Sequence, residues 1–404
     1  MARSILHVGL EIGTTKVAAV IGETRSDGLL RIIGVGESPS RGVRKGEIVD
    51  IGKITLCLND AVSEAEEKAD REITEVVAAV TGSHLEGLSN RGGIQIPEDR
   101  DEIEDEDVQE VEQSALDVTI PTGNVFLHTI VQRYYVDGQE GVASPLGMIG
   151  RKLEAEFHIV HGTKTRIQNN LRCIREANLK VNNVVMSAVA SSQAVIEQTE
   201  RDLGALVLDI GGGTTDYILF RDGAVRQTGV LAVGGDHITN DISIGLRVPT
   251  KWAEKLKVEH ADVGPGAANA RGTVEIEDPT YAGGVIERRM LNIVAEARVR
   301  ELFNLLKRRL NFERHAQFIG GGILITGGTA DLKGIALLAS EVFGVPARVA
   351  VPRPVMGPSI LFESPRFSTA VGLVLYAQAA QEALEDISIF DRLRSKIGRI
   401  IPGL

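Results

Sequence analysis

The chain of 404 residues is too long for one ordinary hydrophobic core, so roughly two to four compact units share it. Hydrophobic residues make up 43% and aromatic residues only 4%, which leaves burial to Val, Ile, Leu and Ala, with 44 glycines for turns: the profile of an α/β protein. A formal charge of -11 argues against nucleic acid as a partner, and no run approaches the roughly 18 apolar residues of a spanning helix, so a soluble or peripheral protein without a leader is expected.

In chain order, the first informative stretch is GLEIGTTKVAAV, residues 9–20, an apolar run broken by an acid, a glycine and two threonines. Alone it fits a plain β-hairpin as well as a turn that holds a phosphate. Cys57 and Cys173 lie far apart, without Cys or His at zinc-ligand spacing, which suits a reducing compartment. Residues 98–112, EDRDEIEDEDVQEVE, form an acidic helix-like run followed by strand-like segments; a solvated face and a partner-binding face both fit it. His158 and His161 in EFHIVHG fall on opposite faces of an expected strand, a structural pattern rather than a metal-binding one.

Residues 206–220, LVLDIGGGTTDYILF, repeat the opening stretch. Glu11-Ile12 aligns with Asp209-Ile210, Gly13 with the glycines Gly211, Gly212 and Gly213, and Thr14-Thr15 with Thr214-Thr215. Glycines admit close backbone approach, and successive N–H groups with Thr hydroxyls make an anion-binding concavity. A carboxylate before each turn is tolerable beside phosphate when a cation intervenes, and Mg²⁺ characteristically keeps waters between itself and carboxylates. A third turn, Gly327-Gly328 in residues 321–335, precedes a helix expected from about Asp331. By itself it is a routine strand-to-helix connection capped by Thr329 or Asp331; beside the other two it reads as an adenosine contact. No P-loop and no helix-opening G-x-G-x-x-G occurs. Residues 283–310 show helical spacing at Ile286, Met290, Ile293 and Val294, with bases on other faces.

The terminal SIFDRLRSKIGRIIPGL places Ile389, Phe390, Leu393, Ile397, Ile400 and Ile401 at helical spacing opposite Arg392, Arg394, Lys396 and Arg399. Such a basic amphipathic helix suits an anionic bilayer surface, although a docked terminal helix or a partner-binding helix also fits. Gly398 weakens the helix by about 1 kcal/mol relative to Ala, and the preceding AQAAQEALEDIS is a short, helix-like tether.

The three turns, in GLEIGTTKVAAVIG, LVLDIGGGTTDYILF and ILITGGTADLKGI, resemble the phosphate-1, phosphate-2 and adenosine motifs of the actin, Hsp70 and sugar-kinase superfamily. SPLGMIGRKLEAEFHIV (144–160), VVMSAVASSQAVI (184–196), LAVGGDHITNDIS (231–243) and FSTAVGLVLYA (367–377) narrow the resemblance, over nearly the whole chain, to the FtsA family. That implies an actin-like two-lobed ATPase fold of duplicated RNase H-like cores, with an FtsA-type inserted subdomain and a C-terminal amphipathic helix. The implied division is a first-lobe core of 1–83, 166–195 and 352–380, and an insertion of 84–165. The second-lobe core is 196–245 and 319–351, its smaller subdomain 246–318, and the linker with membrane helix 381–404.

The resemblance also implies ATP and Mg as cofactors, held by Gly13, Thr14, Thr15, Lys16, Gly211, Gly212, Gly213, Thr214, Thr215, Gly234, Gly235, Gly327 and Gly328. Glu296 would contact ribose, and Glu11 and Asp209 would hold Mg through water, Glu11 standing where relatives usually have Asp. Active members of the superfamily carry Glu or Gln where the connecting helix starts, and this chain reads Ser187-Ala188-Val189-Ala190-Ser191 there. Asp216 is then the remaining candidate for positioning water, and slow hydrolysis with ATP as an assembly switch is expected. Further implications are a filament, an FtsZ C-terminal tail bound by Arg288, Arg289, Arg298 and Arg300, anionic lipid at the terminal helix, and other division proteins at the insertion. The implied place is the cytoplasmic side of the plasma membrane at the division site. Alternatives are a carbohydrate kinase of the same superfamily or another actin-like cytoplasmic scaffold; an Hsp70-like chaperone needs more than the about 75 residues that follow the third turn.

Overall fold

The computed structural model describes residues 4–25, 28–276, 284–353 and 356–397, with side chains through residue 382. Strands β1 (Ile5–Ile12), β2 (Lys16–Thr24) and β3 (Leu30–Pro39) form an antiparallel meander of Val-, Ile- and Ala-rich runs. The small hairpin β4 (Val43–Arg44) and β5 (Glu47–Ile48) leads into helix α1 (Ile51–Ala69), where the Asp50 carboxylate caps the Lys53 N–H at 3.1 Å. Strand β6 (Glu75–Val80) returns parallel to β1. The insertion follows as β7 (Leu85–Gln95), α2 (Asp105–Leu116), β8 (Asn124–Val136), β9 (Gln139–Val142) and β10 (Lys152–Thr163). Helix α3 (Lys164–Glu176) and β11 (Lys180–Met186) then complete the first sheet, in the order β3-β2-β1-β6-β11.

Helices α4 (Ser187–Val195) and α5 (Gln198–Asp202) cross to the second lobe, which begins with β12 (Leu206–Ile210), β13 (Thr215–Arg221) and β14 (Ala224–Leu231). Next come α6 (Gly235–Leu246), α7 (Thr250–His260), the short strands β15 (Thr273–Glu275) and β16 (Val285–Glu287), and α8 (Arg288–Arg309). The chain finishes with β17 (Ile323–Thr326), α9 (Ile335–Phe343), β18 (Ala347–Val349), α10 (Ile360–Glu363) and α11 (Ser368–Ile397). The order β14-β13-β12-β17-β18 repeats that of the first sheet, with the same parallel and antiparallel pairings. The echo in sequence is therefore an echo in topology. The second sheet also runs on into the insertion, because Gly229 of β14 pairs with Glu86 of β7, followed by β10, β8 and β9.

The largest core lies between the lobes, where Ala188, Ala190 and Val195 of α4 and Val371, Leu373 and Val374 of α11 share one apolar cluster with Val20, Val185, Val207 and Leu324 of both sheets. The two helices cross closely: a Cβ at Gly372 would run into the Ala190 carbonyl oxygen. A Cβ at Gly9 would likewise meet Ala370, so β1 presses on α11 through glycine.

Four expectations need revision. Helix α9 begins at Ile335 rather than near Asp331, because Gly327 and Gly334, at φ of +85° and +82°, turn the chain through a short 3-10 segment first. The acidic run is helical only from Asp105; most of its carboxylates are exposed, as a solvated face requires, and the exception is Asp107, buried against Arg100. On α8 the core stripe is Leu291, Ala295, Val299, Leu302 and Leu306, whereas Met290 and Ile293 are exposed and Ile286 belongs to β16. These residues, at i, i+4, i+8, i+11 and i+15, form one face of the helix, and it is the face that α6 and α9 cover. Fourth, the register of the second glycine hairpin differs, as described below.

His158 and His161 sit on opposite faces of β10, with His158 Nε2 2.9 Å from Thr228 Oγ1 and His161 Nδ1 3.0 Å from Asn124 Nδ2. Both cysteines are buried thiols in the core around α1 and α3. Ile389, Phe390, Arg392, Leu393, Arg394, Lys396 and Ile397 fall on the last turns of α11, whose side chains lie outside the described residues. Arg399, Ile400 and Ile401 lie outside them altogether. Among the described residues no helix is long and apolar enough to cross a membrane.

Candidate nucleotide site

The two glycine turns are built alike. Gly13 N–H donates to Lys16 O at 2.8 Å, and Gly211 N–H donates to Thr214 O at 2.9 Å, each closing a four-residue turn between paired strands. Structural equivalence therefore matches Thr14 with Gly212, Thr15 with Gly213 and Lys16 with Thr214, two residues away from the alignment read from the letters. Matching Thr-Thr to Thr-Thr required the second turn to be longer, and it is not. Thr215 consequently occupies the place of Val17, wholly buried, and its hydroxyl donates to Val233 O at 2.8 Å.

The turns face each other across a cavity of about 370 Å³. Gly13, Thr14, Thr15 and Lys16 line it from one lobe, and Gly211, Gly212 and Thr214 from the other, with Glu11 and Asp209 at the strand ends. Gly327 and Gly328 of the third turn complete the wall, and a Cβ on Gly327 would strike the Asp209 carboxylate. Glycine is required at 212 and 213 for a different reason: there a Cβ would collide with the side chains of Thr15 and Thr14, so bare backbone lets the hairpins approach.

Several predicted residues stand off the wall. Gly213 meets the opposing turn. Gly234 and Gly235 support the second turn from behind, Gly235 N–H donating to Gly211 O at 2.9 Å and Asp236 N–H to Gly212 O at 2.8 Å. Glu296 does not reach the cavity; it lies on α8, 2.8 Å from the Arg300 guanidinium. A glutamate that does reach the wall is Glu254 of α7, paired at 2.7 Å with Lys257, whose ammonium also donates to Thr239 at 2.9 Å. The signal for that pair was the i, i+3 spacing in TKWAEKLKVEH. Ser187 and Asp331, which the sequence marks at the connecting helix and the third turn, also line the cavity, as do Thr81, Asp236, Arg366 and Thr369, which carry no local sequence signature.

Lys16 Nζ lies 2.5 Å from Glu11 Oε2, so Glu11 already has a cation partner. The second hairpin's carboxylates are held by hydroxyls of the first lobe: Thr369 donates to Asp209 at 2.6 Å and Thr81 to Asp216 at 2.7 Å. The predicted arginines do not converge. Arg298 and Arg300 are two residues apart on α8 and point to opposite sides, Arg298 to Asp241 of α6 at 2.5 Å and Arg300 to Glu341 at 2.9 Å. Arg288 and Arg289 stand at the other end of the helix.

Comparison with known proteins extends this geometry to a family. The profile described as "Cell division protein FtsA" matches residues 206–372, and the one described as "SHS2 domain inserted in FTSA" matches residues 82–161. The chain is similar to cell division protein FtsA of Pseudomonas aeruginosa, 38% identical with 93% of this chain and 89% of the relative covered. It is 35% identical to those of Borreliella burgdorferi, covering 100% and 98%, and Escherichia coli K12, covering 92% and 90%. Among solved structures, a chain of the PilM-PilN type IV pilus biogenesis complex superposes with a TM-score of 0.65 at 18% identity, covering 92% of this chain and 98% of that one. MreB5 of Spiroplasma citri bound to ADP gives 0.56 at 14%, covering 94% and 98%. These two likenesses establish the actin-like fold.

Burial pushes the Asp209 carboxyl up to about 6, repulsion from Glu11 adding to it against the Thr369 hydrogen bond. Asp216, directly opposite on β13, is pushed well above the ordinary carboxylate range by burial and then by Asp209. A folded value above the unfolded one means the native state holds the proton more tightly, so this contribution is favourable at acid pH and is lost as pH rises from about 4 through 6. The full loss for Asp209 is at most about 3 kcal/mol. Asp209→Asn should therefore melt higher than the unsubstituted protein at pH 7.5 without nucleotide, with the gap shrinking toward pH 4. Thermal melts across that range check this, and a gap independent of pH contradicts it.

Proposed function

The chain belongs to the FtsA family of cell division proteins, and from that premise we propose that it is an ATP-dependent, actin-like scaffold that polymerises and ties FtsZ filaments to the cytoplasmic face of the plasma membrane at the division site. Family membership displaces the carbohydrate-kinase alternative. The observation that carries the nucleotide reading is the pair of equivalent glycine turns closing on one cavity with a carboxylate at each strand end. Backbone N–H groups of both turns and the hydroxyls of Thr14, Thr15 and Thr214 would hold the phosphates, and Gly327 and Gly328 the nucleoside. Glu254, rather than Glu296, would meet the ribose. Mg²⁺ would neutralise phosphate charge and relieve the repulsion between Glu11 and Asp209, through water.

Hydrolysis is proposed to be slow. The connecting helix presents Ser187 to the cavity, which can neither take a proton from water nor orient it as an amide does, and Asp216 is occupied by Thr81. Calorimetry should detect Mg-ATP binding, and single-turnover phosphate release should be slow; rapid, kinase-like release contradicts the scaffold reading.

For the FtsZ tail, the geometry favours one face of α8 over the four arginines taken together. Arg289, Met290, Ile293, Arg300, Asn304, Lys307 and Arg308 recur at helical spacing, with Met290, Ile293, Arg289 and Arg308 exposed. Ala297, Arg300, Asn304, Lys307 and Arg308 line a cavity of about 760 Å³ with Asn311, Phe312 and two acids, Glu301 and Glu313, the latter paired with Lys307. Bases interleaved with exposed apolar groups suit an acidic, partly apolar peptide. Charge reversal at Arg289 and Arg308 together should weaken an FtsZ tail peptide more than tenfold, while Arg298→Ala, on the far side, leaves it unchanged. Peptide titration by fluorescence anisotropy checks both, and equal losses would return the site to the full set of four arginines.

The basic amphipathic end is the proposed membrane anchor and the insertion the proposed site for other division proteins. Removing residues 387–404 should release the protein from anionic liposomes in flotation; persistent flotation would contradict the anchor.

A further inference from the structure

The charge inventory of the nucleotide cavity leaves a gap. Three cations line it, and each is already paired: Lys16 with Glu11 at 2.5 Å, Lys257 with Glu254 at 2.7 Å, and Arg366 with Glu37. Six carboxylates line it as well, Glu11, Asp209, Asp216, Asp236, Glu254 and Asp331. The three cations are thus outnumbered by carboxylates on the wall. A terminal phosphate entering here would meet no uncommitted side-chain cation on the wall.

Such a cation stands at the rim. Lys45 is at the tip of the β4–β5 hairpin, exposed, and among the described residues pairs with no carboxylate. Its backbone is held at φ of +52°, a conformation that glycine or asparagine adopts at less cost. The tip is wedged between both phosphate turns. Gly46 N–H donates to Thr14 Oγ1 at 3.1 Å, and a Cβ on Gly46 would lie 2.9 Å from Thr81 Cγ2 and 3.0 Å from Thr214 Cγ2. Across the cleft, a Cβ on Gly213 would lie 2.9 Å from Lys45 Cα. The charge also reaches the start of α6, where burial first and Lys45 second hold the His237 imidazole below its ordinary value.

We propose that Lys45 is the residue that distinguishes nucleoside triphosphate from diphosphate, its ammonium turning onto the terminal phosphate while Gly46 ties that contact to the Thr14 hydroxyl. The proposal rests on the ATP reading above and deepens it. A lysine suits the task because its charge sits on a flexible four-carbon stem and can serve an anion that is present in only one nucleotide state. Thr14 adds the geometry: its oxygen accepts from Gly46, leaving the hydroxyl proton to be donated to phosphate. Because the tip belongs to the first lobe and touches Gly213 and Thr214 of the second, engagement of the terminal phosphate would tighten a contact between lobes.

The test compares ATP and ADP affinities of the full chain, with Mg²⁺, by competition against a fluorescent nucleotide. The unsubstituted protein, Lys45→Gln, Lys45→Arg and Lys45→Gly are measured side by side. Lys45→Gln should weaken ATP about tenfold, the scale of one charge-assisted contact, and leave ADP within about twofold. Lys45→Arg should recover most of the loss, and Lys45→Gly should behave like Lys45→Gln although it relieves the backbone. Equal losses for ATP and ADP, or no loss for either, would overturn the assignment while leaving the nucleotide reading intact. If the unsubstituted protein binds neither nucleotide, the nucleotide reading falls and this proposal with it.

Discussion

The architecture depends on how closely two helices can pass between two sheets. Helices α4 and α11 fill the space between the lobes, and their separation is set by backbone against backbone where Gly372 meets the Ala190 carbonyl. Any side chain there would push the lobes apart, and the two glycine turns with them. The same device recurs at Gly9 against α11 and at Gly212 and Gly213 between the hairpins. Missing side chains along the interlobe axis thus determine the width of the cleft, and the apolar cluster around them makes that width stiff.

Electrostatics within the cleft work against the fold and for a ligand. Asp209 and Asp216 face each other across paired strands in a buried site, with Glu11 close enough to repel Asp209. Two first-lobe threonines, Thr369 and Thr81, reach across to hold these carboxylates. Each hydrogen bond crosses between lobes, so the groups that would greet a metal-bound nucleotide also register the relative position of the two halves. Stored repulsion of this kind is common at functional sites, where the surrounding structure over-determines an arrangement the groups would not adopt alone.

Much of this was legible in the chain. The echo between residues 9–20 and 206–220 announced duplication, and the two sheets repeat strand order and direction. That a subdomain is inserted was legible too, because an acidic helix and strand-like runs interrupted a pattern that resumes at β11. Errors arose where letters and geometry diverge. Thr-Thr in both turns invited a letter-for-letter match, yet strand pairing requires equal turns and puts Thr215 in the core. On α8 two apolar stripes compete, and only the position of the neighbouring helices decides that Leu291, Ala295 and Val299 face inward while Met290 and Ile293 do not.

What the sequence determined by itself was local: which runs are strands, where glycine lets backbone segments approach closely, and that two such turns exist with an acid before each. These follow from φ, ψ freedom and from period-two or period-3.6 patterning, which act over a few residues. Tertiary structure decided what converges. Glu254 and not Glu296 reaches the cavity, Arg298 and Arg300 diverge, Thr81 meets Asp216, and the Lys45 tip stands beside both glycine turns. Residues 135 positions apart, as Thr81 and Asp216 are, share no local signal. Their meeting depends on the packing of α4 and α11 between two sheets, a property of the whole chain.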